Sequence, residues 1–538
     1  MEVDTLSIIL LCLIVFFTFL SIREAPNSDV HPLLLTSQSD AAKVRYPGET
    51  AVYRSNNSQH GMPLLTTPEN GVKTIAQMFQ HGLEEGKDCL GSRDINGAYT
   101  WQTYRQIFER IINFGSGLIK RTGLTSKSQD KFGIFMKNCP GINCFSFDHL
   151  WYLNDKTYLY CFKIFVEWVI ADLAACHYSL ITVALPSIRP RVNDVINQIN
   201  LTEISIIVVS KDTLQIAFSA APSCKTLKYI IITESSLTKD QNEKAENLGL
   251  TLTTFNDIEK LGSTSKLECV PAAGILATIH ITQKIKTSDR HLSYLPLAYV
   301  FERITVMTLL FSGASIAFYS GKISTVLKDA EEVKPTIFTS TPRILSLFHE
   351  NILKSLENKW FFKRGFNSKL KSLKKGSLVT NSIWDILVFN QVKAKFGGQV
   401  RVIVTASDPI PQTLLDFFRI TVGCQVLQSY GLTQCSGAVT INAFYDYYSI
   451  DQNGNDSHTG GPLACNEIKL INYEERGYTV EDVPNPRGEI CVRGPNVMKG
   501  YYNLPDETSR IIDADGWFHT GDIGMILPNG TLKIIDRK

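Results

Sequence analysis

Glu203-Ile204-Ser205-Ile206-Ile207-Val208-Val209, followed twenty residues later by Tyr229-Ile230-Ile231-Ile232, decides the fold class. Both runs are short, β-branched and apolar without alternation. A strand facing solvent on one side would alternate, so these runs read as strands covered on both faces. Arg401-Val402-Ile403-Val404 has the same texture. Helical stretches such as Trp101 to Lys120 lie between the runs, which gives an α/β chain with parallel sheets. After Gly460 the texture changes to short strands with Gly and Pro turns, ending in Gly530-Thr531-Leu532-Lys533-Ile534-Ile535, and predicts a small β-rich lobe. No internal repeat is visible.

At 538 residues the chain needs more than one ordinary core. Hydrophobic residues make up 44% and the net charge is +2, so no bulk electrostatic case for nucleic acid exists. No dense Lys/Arg run stands out along the sequence. The twelve cysteines form no C-x-x-C pair and no zinc spacing, which reads as free thiols in a reducing compartment.

The first 22 residues are of another kind. Thr5 to Ile22 is uncharged and nearly all Leu, Ile, Val and Phe, long enough to approach the hydrocarbon thickness. Glu2 and Asp4 precede it, where a cleaved signal peptide would carry basic residues. Arg23, Lys43 and Arg45 follow it, so the expectation is a membrane anchor with a cytosolic body. Residues 23–70 are polar with Pro and Ser and read as a linker. Residues 71–538 read as the globular body.

Three short segments carry chemistry. Gln428-Ser429-Tyr430-Gly431-Leu432-Thr433-Gln434 follows a strand-like run, and a Gly beside an aromatic lets backbone approach a flat ligand. In Trp517-Phe518-His519-Thr520-Gly521-Asp522-Ile523-Gly524, an Asp between glycines can accept two hydrogen bonds from a ribose diol. Asp536-Arg537-Lys538 closes the sequence. Each alone could be an ordinary turn.

Together they resemble the ordered core motifs of adenylate-forming (AMP-binding) enzymes, with Gly488-Glu489-Ile490-Cys491-Val492-Arg493-Gly494 and Gly500-Tyr501-Tyr502 between them. Leu295-Pro296-Leu297-Ala298-Tyr299-Val300-Phe301-Glu302-Arg303, Gly460-Gly461-Pro462, and Arg493-Gly494-Pro495-Asn496-Val497-Met498 resemble the long-chain fatty acid–CoA ligase branch. The resemblance runs from about residue 70 to Lys538. It implies a two-step reaction. A long-chain fatty acid carboxylate attacks the α-phosphate of ATP, with Mg²⁺ as cofactor, and coenzyme A then displaces AMP. It also implies site residues. Tyr430 and Gly431 meet adenine, Thr433 approaches the α-phosphate, and Asp522 and Arg537 hold the ribose. Ala406 and Ser407 lie between nucleotide and acyl chain, and Tyr299 sits on the acyl pocket. The membrane implied is endoplasmic reticulum or outer mitochondrial membrane.

The sequence departs from the family in five places. The Ser/Thr/Gly-rich phosphate loop is missing near Ala272-Ala273, while Gly262-Ser263-Thr264-Ser265-Lys266 is a decoy that lacks its pattern. Gln434 stands where the family has a Mg²⁺-binding Glu, which leaves a carbonyl oxygen but removes the charge. Tyr299 replaces His. Lys538 coincides with the family's hinge, so the small C-terminal domain and its lysine are expected to be absent. Gly141 to Val166, crowded with aromatics, separates Asn138-Cys139-Pro140 from Glu167-Trp168 and reads as retained non-coding sequence or an extra membrane-facing hairpin. Three readings follow: a membrane-anchored ligase, a binding-only relative that holds AMP or an acyl chain without turnover, and an incomplete version of an active enzyme. The departures predict that the 538-residue chain taken literally is inactive.

Overall fold

The computed structural model describes residues 37–42, 46–58, 60–67, 71–94, 97–125, 130–136, 164–185, 190–269, 285–356, 359–447 and 457–538. The expected anchor at 1–22, the gap at 272–273 and most of the Gly141–Val166 segment lie outside them. Among the described residues no helix is long and apolar enough to cross a membrane.

Three sheets organise the chain. The first is fully parallel, in the order β6 (Ile181–Ala184), β5 (Lys131–Phe135), β7 (Ile206–Val209), β8 (Tyr229–Ile232), β9 (Thr251–Thr254). Both diagnostic runs are here, and every residue of β7 is buried. Glu203 to Ser205 do not join the strand: Glu203 takes a left-handed conformation, φ 54°, that ends the helix Val192–Thr202.

The second sheet has nine strands. Its parallel centre runs β14 (Gln425–Leu432), β13 (Val402–Thr405), β12 (Ile337–Ser340), β10 (Arg290–Ser293), β11 (Ser315–Phe318), β3 (Asp88–Arg93). Antiparallel strands close both edges: β15 (Gly437–Ile441) and β16 (Gly461–Pro462) on one, β4 (Tyr99–Thr103) on the other. The helix expected from Trp101 instead begins at Tyr104. Thr103 forms a capping box, its Oγ1 accepting from the Gln106 amide at 3.3 Å while the Gln106 side chain accepts from the Thr103 amide at 2.8 Å. That box sets the boundary, and Tyr99 to Thr103 pair as an edge strand.

The third sheet is the small lobe, six antiparallel strands ordered β1 (Ser39–Ala41), β2 (Tyr53–Ser55), β17 (Glu467–Ile471), β18 (Arg487–Arg493), β19 (Phe518–Ile526), β20 (Leu532–Arg537). Part of the stretch read as linker is therefore structural. Arg54 on β2 pairs with Glu467, which also accepts from Arg493 Nε at 2.6 Å, so a buried carboxylate is held by two guanidinium groups.

One continuous core joins the two large sheets. Arg303 bridges them: its guanidinium grips Asp172, which is fully buried on the helix Ile164–His177, and lies 5.5 Å from the Trp168 ring. Ile164 to Val166, the end of the expected insertion, form the first turn of that helix. The decoy Gly262 has a packing reason. A Cβ there would meet the Asn113 carbonyl oxygen at 1.7 Å, and one at Gly117 would meet that of Ile258 at 1.9 Å, so the two helices cross at bare backbone.

Candidate active site

Parallel α/β sheets bind ligands beyond the carboxyl ends of their strands. A cavity of about 1250 Å³ opens there, beside the ends of β10, β12, β13 and β14. Its lining includes Tyr299, Ala406, Ser407, Gly431, Thr433, Gln434 and Arg537, seven of the nine residues singled out in the sequence. Tyr430 and Asp522 are not in the lining, but they are coupled to it. The Tyr430 hydroxyl donates to Asp522 Oδ2 at 2.7 Å, and Arg537 Nε lies 3.5 Å from Asp522 Oδ1, across the β19–β20 pair. Burial, reinforced by the Asp522 charge, raises the Tyr430 phenol well above its ordinary range, so the hydroxyl stays a donor.

Gly431 has a use not visible in the sequence. A Cβ would meet the Gly437 carbonyl oxygen at 1.6 Å, where β14 shifts register against β15. The bare Cα is required by the neighbouring strand, whatever ligand it faces.

Thr433 and Gln434 form a 3₁₀ turn clamped by the motifs downstream of it. Met498 N donates to the Gln434 carbonyl at 2.8 Å, Asn496 Nδ2 to the Cys435 carbonyl at 2.9 Å, and Ser436 Oγ to the Asn496 carbonyl at 2.8 Å. Gln434 Nε2 donates to the Tyr501 hydroxyl at 2.9 Å, which fixes the amide. Opposite, the loop after β13 carries Ser407 at φ 87°, an uncommon conformation for a side-chain-bearing residue, and strain of this kind gathers at ligand clamps. Two buried polar atoms nearby, Thr405 Oγ1 and Gln428 Oε1, find no hydrogen-bond partner among the described residues.

Tyr299 caps the helix Val300–Phe311 at the cavity wall and is half exposed. Three residues on, Glu302 is fully buried and accepts from Ser293 Oγ at 2.5 Å and Thr339 Oγ1 at 2.9 Å, with His291 Nε2 at 3.0 Å. Sequence reasoning quoted Glu302 within its motif and gave it no role; a Glu in an otherwise apolar helix start was the available signal. Arg343 and Glu350, also on the wall, come from a helix with no motif to mark it.

One group among the described residues could hold a metal by geometry: Glu489, Cys491 and His519, with ligand atoms within 4.8 Å of one another. Cys491 and Glu489 raise the His519 imidazole to about 10, and Lys538 Nζ donates to Glu489 at 2.6 Å. The cluster is thus an ion-paired brace of the small lobe. The eight described cysteines are free.

The family of AMP-binding enzymes matches residues 262–502. The chain is 30% identical to long-chain-fatty-acid–CoA ligase 5 of Rattus norvegicus, over 98% of this chain and 77% of that one. It is 31% identical to long-chain-fatty-acid–CoA ligase 6 of Homo sapiens, over 89% and 69%. The chain belongs to the long-chain-fatty-acid–CoA ligase family. Structures of this family's wider fold agree. The A domain of a carboxylic acid reductase from Segniliparus rugosus, in complex with AMP and a co-purified carboxylic acid, matches with a TM-score of 0.66 at 17% identity, over 88% of this chain and 75% of that one. A long-chain-fatty-acid–CoA ligase from Archaeoglobus fulgidus matches with a TM-score of 0.61 at 15% identity, over 89% and 86%. The expected adenylate-forming α/β fold is observed. Likeness to ligases along nearly the whole chain does not favour the binding-only alternative or a literally inactive chain.

Proposed function

We propose that the cavity activates a long-chain fatty acid with ATP and coenzyme A. The carboxylate oxygen attacks the α-phosphorus and the bond to pyrophosphate breaks. The coenzyme A thiolate then attacks the acyl carbon and AMP leaves. The observation that carries this reading is the convergence of Thr433, Arg537 and the Ala406–Ser407 loop on one large cavity, with Asp522 held beside it by Tyr430. Asp522 accepts from the ribose hydroxyls and Arg537 flanks them. Thr433 Oγ1 donates toward the α-phosphate, where negative charge develops. Ala406 and Ser407 separate nucleotide from acyl chain. Val300, Phe301, Ile304, Leu309, Ile344 and Leu347 give the remaining volume an apolar wall fit for an alkyl chain.

Mg²⁺ fits the Thr433–Gln434 turn poorly: the two residues offer neutral oxygens, whereas Mg²⁺ favours one or two carboxylates alongside substrate phosphates. Residues 1–22 are proposed as the anchor that holds the body at a cytosolic membrane face, and deleting them should shift much of the protein, though not all, from the membrane to the soluble fraction.

The test of function is acyl-CoA formation from ATP, Mg²⁺, palmitate and coenzyme A by the purified chain, alongside palmitate-dependent release of pyrophosphate. Thr433→Val should depress both. Equal product from the parent and Thr433→Val would remove Thr433 from the site, and no product from the parent under any condition would overturn the proposal.

A further inference from the structure

Basic residues and exposed apolar side chains lie on two helical segments of the body that pack together. The helix Lys359–Leu373 turns Phe362, Gly365, Phe366, Leu370 and Leu373 inward. Its outer side carries Trp360, Arg364 and Lys371 at helical spacing, with Lys363 beside them and Lys374 and Lys375 in the closing turn. Along the sequence these residues are interrupted by apolar ones and do not read as a basic run; the helix gathers them. Between Lys363 and Lys375 there are six basic residues and no acidic one, in a chain whose net charge is only +2.

The first carboxylate after them in the sequence is already engaged elsewhere. Asp385 is buried and held by Lys369 Nζ at 2.8 Å and Lys393 Nζ at 3.0 Å. No ion pair engages Lys363, Arg364, Lys371, Lys374 or Lys375 among the described residues. Asp385 opens a π-helical segment, Asp385–Phe389, that packs against the same helix at Gly365, where a Cβ would touch the Trp384 ring at 3.0 Å. This neighbour exposes Ile386 to 71% and Leu387 to 55%, and Trp360 is exposed to 62%. Arg364 lies 5.5 Å from the Trp360 ring, and large apolar side chains left in water beside cations that make no ion pair mark an interaction surface. Trp with Lys and Arg is the composition that settles at a bilayer interface, the ring among headgroups and the cations on lipid phosphates.

We propose that this face docks on an anionic lipid bilayer, independently of the N-terminal run. Its inner residues Phe362, Phe366 and Leu370 line a second cavity of about 480 Å³, and Ser346 lines both this cavity and the large one. The docked face therefore backs onto the wall of the acyl site.

The experiment is hydrogen–deuterium exchange on the full chain with vesicles of phosphatidylcholine, with and without phosphatidylserine. Amides of 360–375 and 383–387 should exchange more slowly only when phosphatidylserine is present, and salt should abolish the slowing. K371E/K374E/K375E should lose it while exchange in the central sheets stays unchanged, which reports an intact fold. I386S/L387S should weaken it without touching the charges. Equal exchange on both vesicle types would overturn the proposal. So would equal protection by soluble glycerophosphoserine, which would make the face a phosphate site, and so would protection that survives the triple reversal.

Discussion

Tyr430→Phe separates two roles that the tyrosine could play at the nucleotide. The substitution keeps the ring, and with it any stacking on adenine. It removes one group, the hydroxyl that donates to Asp522 Oδ2 at 2.7 Å. Asp522 is buried, and the remaining cation beside it, Arg537, stands off at 3.5 Å from the other oxygen. A hydrogen bond to a charged acceptor contributes about 1.5–3 kcal/mol. If that bond sets the Asp522 carboxylate for the ribose, its loss should weaken AMP binding by about tenfold to a hundredfold. Isothermal titration of AMP into the full chain measures this without requiring turnover. Asp522→Asn and the double variant complete a cycle, and the effects should be strongly non-additive because both act through one contact. AMP affinity of Tyr430→Phe within about twofold of the parent would refute the positioning argument and leave ring stacking as the whole contribution.

Gly431→Ala should destabilise the chain by about 3 kcal/mol or more, seen as a lower thermal midpoint, because the added carbon meets fixed backbone; an unchanged midpoint would show that β15 can shift. Gln434→Glu should lower the Mg²⁺ concentration needed for pyrophosphate release, since a carboxylate supplies the charge that the amide lacks; identical Mg²⁺ curves for the two forms would make position 434 irrelevant to the metal. His519 has its imidazole raised to about 10, so the stability it gains from Cys491 and Glu489 is full below its ordinary value near 6.5 and is lost as pH rises through about 10. In urea melts the deficit of His519→Gln should therefore be largest at and below about pH 6.5 and shrink as pH rises toward 10; a deficit independent of pH would assign His519 a packing role only.

The parallel sheets were legible because both faces of their strands are covered, which removes the alternation that marks an exposed strand. The run Ile206–Val209 shows this directly, buried at every position. Boundaries were less legible. Glu203 carries no sign that it will adopt a left-handed conformation, and Thr103 with Gln106 is a capping box that apolar periodicity overrode. The strands at Ser39–Ala41 and Tyr53–Ser55 were hidden because three-residue strands have no period to detect; the first pairs with the second, whose other partner, β17, lies more than four hundred residues away. Motif reading located the rim of the cavity, where Thr433, Gln434 and Arg537 stand, and missed Glu302, whose partners converge only once β10 and β12 are side by side. The basic face escaped for the same kind of reason, since helical spacing spreads it along the chain.

The Glu302 network has a consequence for how such a site can diversify. His291 Nδ1 donates to the Ile337 carbonyl at 3.1 Å and its Nε2 lies 3.0 Å from Glu302, whose carboxylate also accepts from Ser293 and Thr339. Four side chains from two strands and one helix are satisfied together, and replacing any one of them strands a polar group away from water. If the cavity holds an acyl chain as proposed, its length is free to vary at apolar lining residues outside this network, such as Ile344 and Leu347. The network stays fixed, and variation is channelled to the helix that bears those two residues.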